Sequence, residues 1–221
     1  MLGIPENSST TPSAVVFDLG GVVVRICHTW QEALRVAGVS SHLLDAPDMS
    51  LMTLDEFDLY QSDEVTFEEY IRALARFVDC TPEEAVKTHL SILIEPYPGI
   101  AELIDGLNAA GLKTGCLSNT NAPHWHVMTE TAPFAPVARL QMRLGSHEIG
   151  LAKPDPDAFL AYADKFNLRP EEIIYFDDNR ANVMTSTMLG WDAHQVDPAG
   201  DTPTQMRNIL RERLSVALTC G

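Results

Sequence analysis

Ala14-Val15-Val16-Phe17-Asp18-Leu19-Gly20-Gly21 is the stretch on which the fold turns. Four consecutive apolar residues, two of them β-branched, read as a short strand buried on both faces, as in a parallel sheet. A carboxylate follows at once, and then two glycines that let the chain turn sharply. Further short apolar runs at 113–117, 173–176 and 193–196 repeat the strand signal.

Working outward, helical patterns separate these runs. Ile100, Leu103, Ile104 and Leu107 recur at i, i+3, i+4 and i+7, and Gly111 marks the stop. Asp155-Pro156 gives an N-cap and an N1 proline for a helix carrying Phe159, Tyr162 and Phe166. Thr202-Pro203-Thr204-Gln205 reads as a capping box opening a last helix with Met206, Ile209, Leu210 and Leu214. Strand and helix in alternation predict a mostly parallel sheet with helices on both faces.

Residues 26–95 break the alternation. No strand is evident there, but Thr53-x-x-Glu56, Thr66-x-x-Glu69 and Thr81-x-x-Glu84 each match the capping-box pattern, predicting a small helical insert. The core then comprises 14–25 and 96–221, with residues 1–13 as a flexible tail rich in Ser and Thr.

Composition narrows the function. The 221 residues are 45% hydrophobic, enough for one buried core with an insert. The net charge of −16 has the wrong sign for a surface that neutralises nucleic acid or anionic lipid. Fourteen acidic against four basic residues fall in 26–95 alone, which argues against a substrate with a second phosphate. No apolar stretch is long enough for a membrane span, and the polar N-terminal residues lack signal-peptide order, so a cytoplasmic location is expected. Cys27, Cys80, Cys116 and Cys220 show no CxxC spacing and are expected to be thiols.

Ligands of open parallel sheets bind outside the carboxyl ends of the strands. Three of the runs are followed there by Asp18, by Ser118-Asn119 and by Asp177-Asp178, and Lys153 precedes a helix start. Singly these read as turn, cap and surface residues; together they make a set suited to phosphoryl transfer. Asp18 is a nucleophile that needs no base to ionise. A hard cation on Asp18 and Asp178, with Asp177 nearby and the Gly20 carbonyl within reach, would screen the approach of two anions, and magnesium suits such oxygen ligands. Lys153 adds a point charge, and Ser118 with adjacent N–H groups would hold the phosphoryl oxygens.

At these residues the chain resembles the haloacid dehalogenase superfamily of phosphohydrolases. The matching segments are Phe17-Asp18-Leu19-Gly20-Gly21-Val22, Leu117-Ser118-Asn119-Thr120-Asn121, Ser146 through Lys153-Pro154, and Tyr175-Phe176-Asp177-Asp178-Asn179. Their wording is most like the branch with sugar-phosphate phosphatases and the phosphatase domain of soluble epoxide hydrolase. The resemblance implies an α/β fold, a Rossmann-like doubly wound parallel sheet with an inserted helical cap. It implies Asp18 as nucleophile; Asp18, Gly20, Asp178 and Asp177 as magnesium ligands, the last directly or through water; and Ser118, Asn119 and Lys153 as the phosphate site. The substrate expected is a small phosphorylated metabolite. One position departs from the pattern: the family's second aspartate, which protonates the leaving oxygen and then activates water, is Gly20 here. General acid–base help is typically worth 10²–10⁴-fold. The departure favours leaving groups that go unprotonated, such as anomeric or acyl phosphates, and leaves a silent phosphate-binding protein as the alternative. Dehalogenation has no use for Asp177-Asp178. His124, Trp125 and His126 read as packing or solvated residues.

Overall fold

The computed structural model describes residues 11–61 and 64–214; most of the predicted tail and Cys220 lie outside them. Among the described residues are seven strands: β1 (Ala14–Phe17), β2 (Val24–Ile26), β3 (Leu93–Pro96), β4 (Lys113–Ser118), β5 (Met142–Gly145), β6 (Ile173–Asp177) and β7 (Asp192–Gln195). Five of them form one parallel sheet in the order β5-β4-β1-β6-β7. The fold class is therefore α/β with a Rossmann-like parallel sheet, as expected.

Alternation along the strands explains the two cores. Val15, Phe17, Ile174 and Phe176 face one way and pack with Ile104 and Leu107 from helix Ile100–Ala109 and with Met206 and Leu210 from helix Thr202–Leu214. Val16 and Tyr175 face the other way, onto Phe159 and Tyr162 of helix Pro156–Phe166 and onto Trp191. Each such side chain, fully buried, contributes roughly 1.5–3 kcal/mol. The sheet pinches at Gly115, where an added Cβ would lie 2.0 Å from the Tyr162 hydroxyl that donates to the Met142 carbonyl.

The 26–95 segment, expected to hold no strand, is bounded by two, β2 at its start and β3 at its end. β2 and β3 pair antiparallel, Val24 with Pro96 and Arg25 with Glu95. They escape a sequence reading because each is three or four residues long and its partner is distant in sequence. Between them run helices Trp30–Ala37, Asp55–Gln61, Phe67–Val78 and Pro82–Leu90. These share their own apolar cluster, centred on Trp30, Leu34, Tyr70 and Leu74, with Trp30 set edge-on to Phe57 at 5.7 Å.

The capping boxes at Thr66 and Thr81 form, and a third forms at Thr29 with Glu32. The box expected at Thr53 does not mark a helix start: Thr53 closes a 3₁₀ turn and the helix begins at Asp55. At the last helix the cap is Asp201, whose Oδ1 accepts from the Thr204 N–H at 3.0 Å. The Thr202 hydroxyl is buried and donates instead to the Val22 carbonyl at 2.8 Å. Cys27, Cys80 and Cys116 are free thiols. Among the described residues no helix is long and apolar enough to cross a membrane.

Candidate active site

Strand register alone sets the first two carboxylates side by side. Phe17 pairs with Phe176, so the next residues, Asp18 and Asp177, emerge together from the ends of adjacent parallel strands. The Asp18 N–H donates to the Phe176 carbonyl at 2.8 Å, holding Asp18 at that edge. Asp178 follows, and Asp18, Asp177 and Asp178 each offer an oxygen within 4.8 Å of the others. Gly21 makes room for this approach: its φ is +75°, and a Cβ there would lie 2.5 Å from Asp178 Oδ2.

Lys153 arrives from the loop before helix Pro156–Phe166 with its side chain only 1% exposed. Its three ammonium donors are all used: Asp18 Oδ1 at 2.9 Å, Asp177 Oδ2 at 2.8 Å and the Tyr175 hydroxyl at 2.9 Å. Asn119 fixes the lysine's backbone, accepting from the Lys153 N–H at 2.8 Å and donating to its carbonyl at 2.7 Å. The Asn119 side-chain amide is thus engaged in placing Lys153. Ser118, buried at the end of β4, and Asn119 both line a cavity that Gly20 borders from β1.

Asp177 is wholly buried and surrounded by donors. Besides Lys153 it accepts from the Tyr175 hydroxyl, from the Asn179 N–H at 2.8 Å and from Asn182 Nδ2 at 3.0 and 3.1 Å. Tyr175 and Asn182 were not expected at the site. Tyr175 was readable, since residues two apart on one strand share a face; Asn182, one helical turn into Arg180–Met188, carries no such signal.

The charge balance is negative. Burial pushes the Asp18 carboxyl up to about 7, with the Asp177 and Asp178 carboxylates adding to the effect and Lys153 opposing it. Burial and then Asp177 push Asp178 up to about 6. For Lys153 burial opposes the charge, but Asp177 and Asp18 outweigh it and its pKa is raised. One ammonium against three carboxylates leaves an excess that a divalent cation would neutralise, and an all-oxygen donor set fits a hard ion.

A second buried network joins the insert to this rim. His124 Nε2 donates to the His89 carbonyl at 2.8 Å, and the two imidazoles stack at 4.0 Å. His89 lies between the Tyr70 hydroxyl at Nδ1 and Asn121 Oδ1 at Nε2, so these partners assign a neutral ring with Nε2 protonated. His124 is a packing residue, as expected.

Comparison with known proteins bears directly on this site. The protein named phosphatase MT3486 of Mycobacterium tuberculosis is 26% identical over 202 residues, covering 86% of this chain and 89% of that one. The phosphoglycolate phosphatase of Escherichia coli K12 is 23% identical over 128 residues, 58% of this chain; the match spans 48% of that relative's length. The fold is shared with the HAD family enzyme bt-2542 of Bacteroides thetaiotaomicron, solved in complex with magnesium and inorganic phosphate. Its TM-score is 0.68 at 20% identity, covering 86% of this chain and 96% of that one. The family model described as haloacid dehalogenase-like hydrolase matches residues 12–185, a span that holds Asp18, Ser118, Asn119, Lys153, Asp177 and Asp178. The chain belongs to the haloacid dehalogenase-like hydrolase family.

Proposed function

We propose that the protein is a magnesium-dependent phosphatase that hydrolyses a small phosphomonoester through an aspartyl-phosphate on Asp18. The observation that carries this reading is the seating of Asp18 against Lys153 at 2.9 Å within a trio of carboxylates. Its named relatives are phosphatases, which supports the hydrolysis of a phosphoester. Asp18 and Asp178 would hold the cation with the Gly20 carbonyl, while Asp177, already bound to four donor groups, orients Lys153 and the turn at Asn179. Magnesium, when bound, supplies the positive charge that keeps Asp18 ionised and screens its approach to phosphate.

An Asp18 carboxylate oxygen attacks phosphorus, the bond to the ester oxygen breaks, and its electron pair leaves with that oxygen. Water then attacks phosphorus, the bond to Asp18 breaks, and phosphate departs. The Ser118 hydroxyl and the Asn119 backbone N–H steady the phosphoryl oxygens during both displacements, while Lys153, held against Asp18, contributes its charge. Magnesium-dependent turnover across a panel of phosphate esters, with Asp18→Asn as the blank, tests the reading; no turnover above that blank would sink it. The rival, a phosphate-binding protein without turnover, rests on Gly20 alone.

Gly20→Asp addresses that position. The nearest atoms to an added Cβ all belong to the Ile26 side chain, the closest being its Cδ1 tip at 3.0 Å, which a flexible side chain can yield. The kcat/KM for simple alkyl phosphates, which reports the first displacement alone, should rise by about 10²-fold, the low end of general acid–base help, with little change in kcat/KM on acyl phosphates. Equal effects on both ester classes would contradict a missing proton donor.

Protons and the cation compete for the same carboxylates. In the metal-free protein Asp18 and Asp178 bind protons more tightly than in the unfolded chain. Their contribution to stability is therefore greatest at low pH and is lost as pH rises from 3.8 through about 6 and 7. Magnesium relieves that loss, so its stabilising shift in melting temperature should be larger at pH 8 than at pH 5. Thermal denaturation with and without magnesium measures this, and a shift independent of pH would contradict it.

A further inference from the structure

We propose, resting on that reading of Asp18, that the ester's leaving group is uncharged with a largely apolar body, and that esters bearing a carboxylate or second phosphate are excluded. A cavity of about 330 Å³ lies between the ends of β1 and β4 and the helical insert, with Gly20, Ser118 and Asn119 on its sheet side. The volume is that of a small-metabolite pocket. Its apolar wall is formed by Ile26, Leu51, Met52, Phe57 and Ile92 on the insert side, with Met128 from helix Ala122–Glu130.

The polar groups on that wall are neutral hydrogen-bonding ones, Ser50 and Gln61 among them, which suit a hydroxyl or carbonyl. Among the described residues no Lys, Arg, Asp or Glu lines the cavity. The cation of the carboxylate site is Lys153, whose three donors are already on Asp18, Asp177 and Tyr175, and Arg25 and Arg35 line a separate cleft beyond Cys27 and His28, Arg25 paired with Glu95. His124 does not supply a charge: its Nε2 is bound to the His89 carbonyl, and burial pushes its pKa down to about 4. Cys27 donates its thiol to the Ser91 carbonyl. His28, the remaining titratable group on the wall, is exposed at the mouth. An anionic tail would exchange water for an apolar wall without a counter-charge, a penalty far larger than that of one misplaced methylene. The acidic insert, with fourteen acidic and four basic residues, deepens the discrimination.

Met52, 53% exposed at the cavity, is the position from which a cation could be supplied. The test is calorimetric binding of butylphosphonate and of 2-carboxyethylphosphonate, matched in size, to the magnesium-loaded protein. Wild type should bind butylphosphonate at least tenfold more tightly, and Met52→Arg should narrow or reverse that ratio. Parity or preference for the carboxylate in wild type overturns the inference, and so does failure of both to bind at millimolar concentration. Hydrolysis of the corresponding phosphate esters is read separately: binding in the expected order with no turnover would sink the phosphatase reading and leave the pocket assignment standing.

Discussion

Asp18→Asn should lower turnover on every phosphomonoester by 10⁴-fold or more, the scale on which loss of a nucleophile is felt. Asparagine is nearly isosteric and its carbonyl oxygen can still accept from Lys153, which now lies 2.9 Å from Asp18 Oδ1. What would disappear is the proposed oxygen nucleophile and one charge of the proposed cation site. Because burial already disfavours the ionised Asp18, pushing it up to about 7, the neutral side chain should cost the metal-free fold nothing at pH 8. Kinetics beside a thermal melt therefore separate the chemistry from the fold. Activity within tenfold of wild type, in a protein that melts normally, would remove Asp18 from the reaction.

Lys153→Met should damage both. The ammonium is buried and bonded to Asp18, Asp177 and Tyr175, so its loss leaves two carboxylates and a hydroxyl facing one another without a cation. Breaking a buried pair from one side typically costs about 3–5 kcal/mol. Turnover should fall by about 10²–10³-fold, the effect of removing one preorganised donor from a developing charge. Denaturant midpoints in metal-free protein report the first effect and kcat the second. Lys153→Arg should not rescue either, because a planar fork cannot meet three acceptors arranged around a compact ammonium. A Lys153→Met protein as stable as wild type would show that the three bonds carry little.

How far the molecule was legible follows from which signals are local. The strand 14–17 declares itself by four buried apolar residues in a row, and its register with β6 brings Asp18 beside Asp177 as the sequence pattern anticipates. β6 and β4 each run one residue further than their apolar cores, through Asp177 and Ser118, because the sheet's hydrogen bonds continue past the last hydrophobic side chain. β5 was missed: Met142-Arg143-Leu144-Gly145 is short and interrupted by a charge, tolerable at an edge of the sheet. Asp201 caps the last helix in place of Thr202, because aspartate caps as well and tertiary burial against Val22 claims the threonine hydroxyl. Asn119 was identified as a site residue, but its grip on the Lys153 backbone depends on a loop 34 residues away. The His89–His124 stack and the apolar wall facing Gly20 are likewise long-range, so no spacing rule reveals them.

Gly20 bears on more than leaving-group choice. On the proposed mechanism the aspartate of the family pattern would also activate water in the second displacement, so glycine at position 20 should slow breakdown of a phosphorylated Asp18 and let that species accumulate. Acid-quenching the magnesium-loaded enzyme during turnover of a ³²P-labelled phosphate ester, then mapping the label by peptide mass spectrometry, tests the central claim directly. The account predicts hydroxylamine-sensitive phosphate on the peptide containing Asp18, absent without magnesium and absent in Asp18→Asn. Steady turnover with the label on another residue, or an Asp18→Asn enzyme that still turns over, would contradict it.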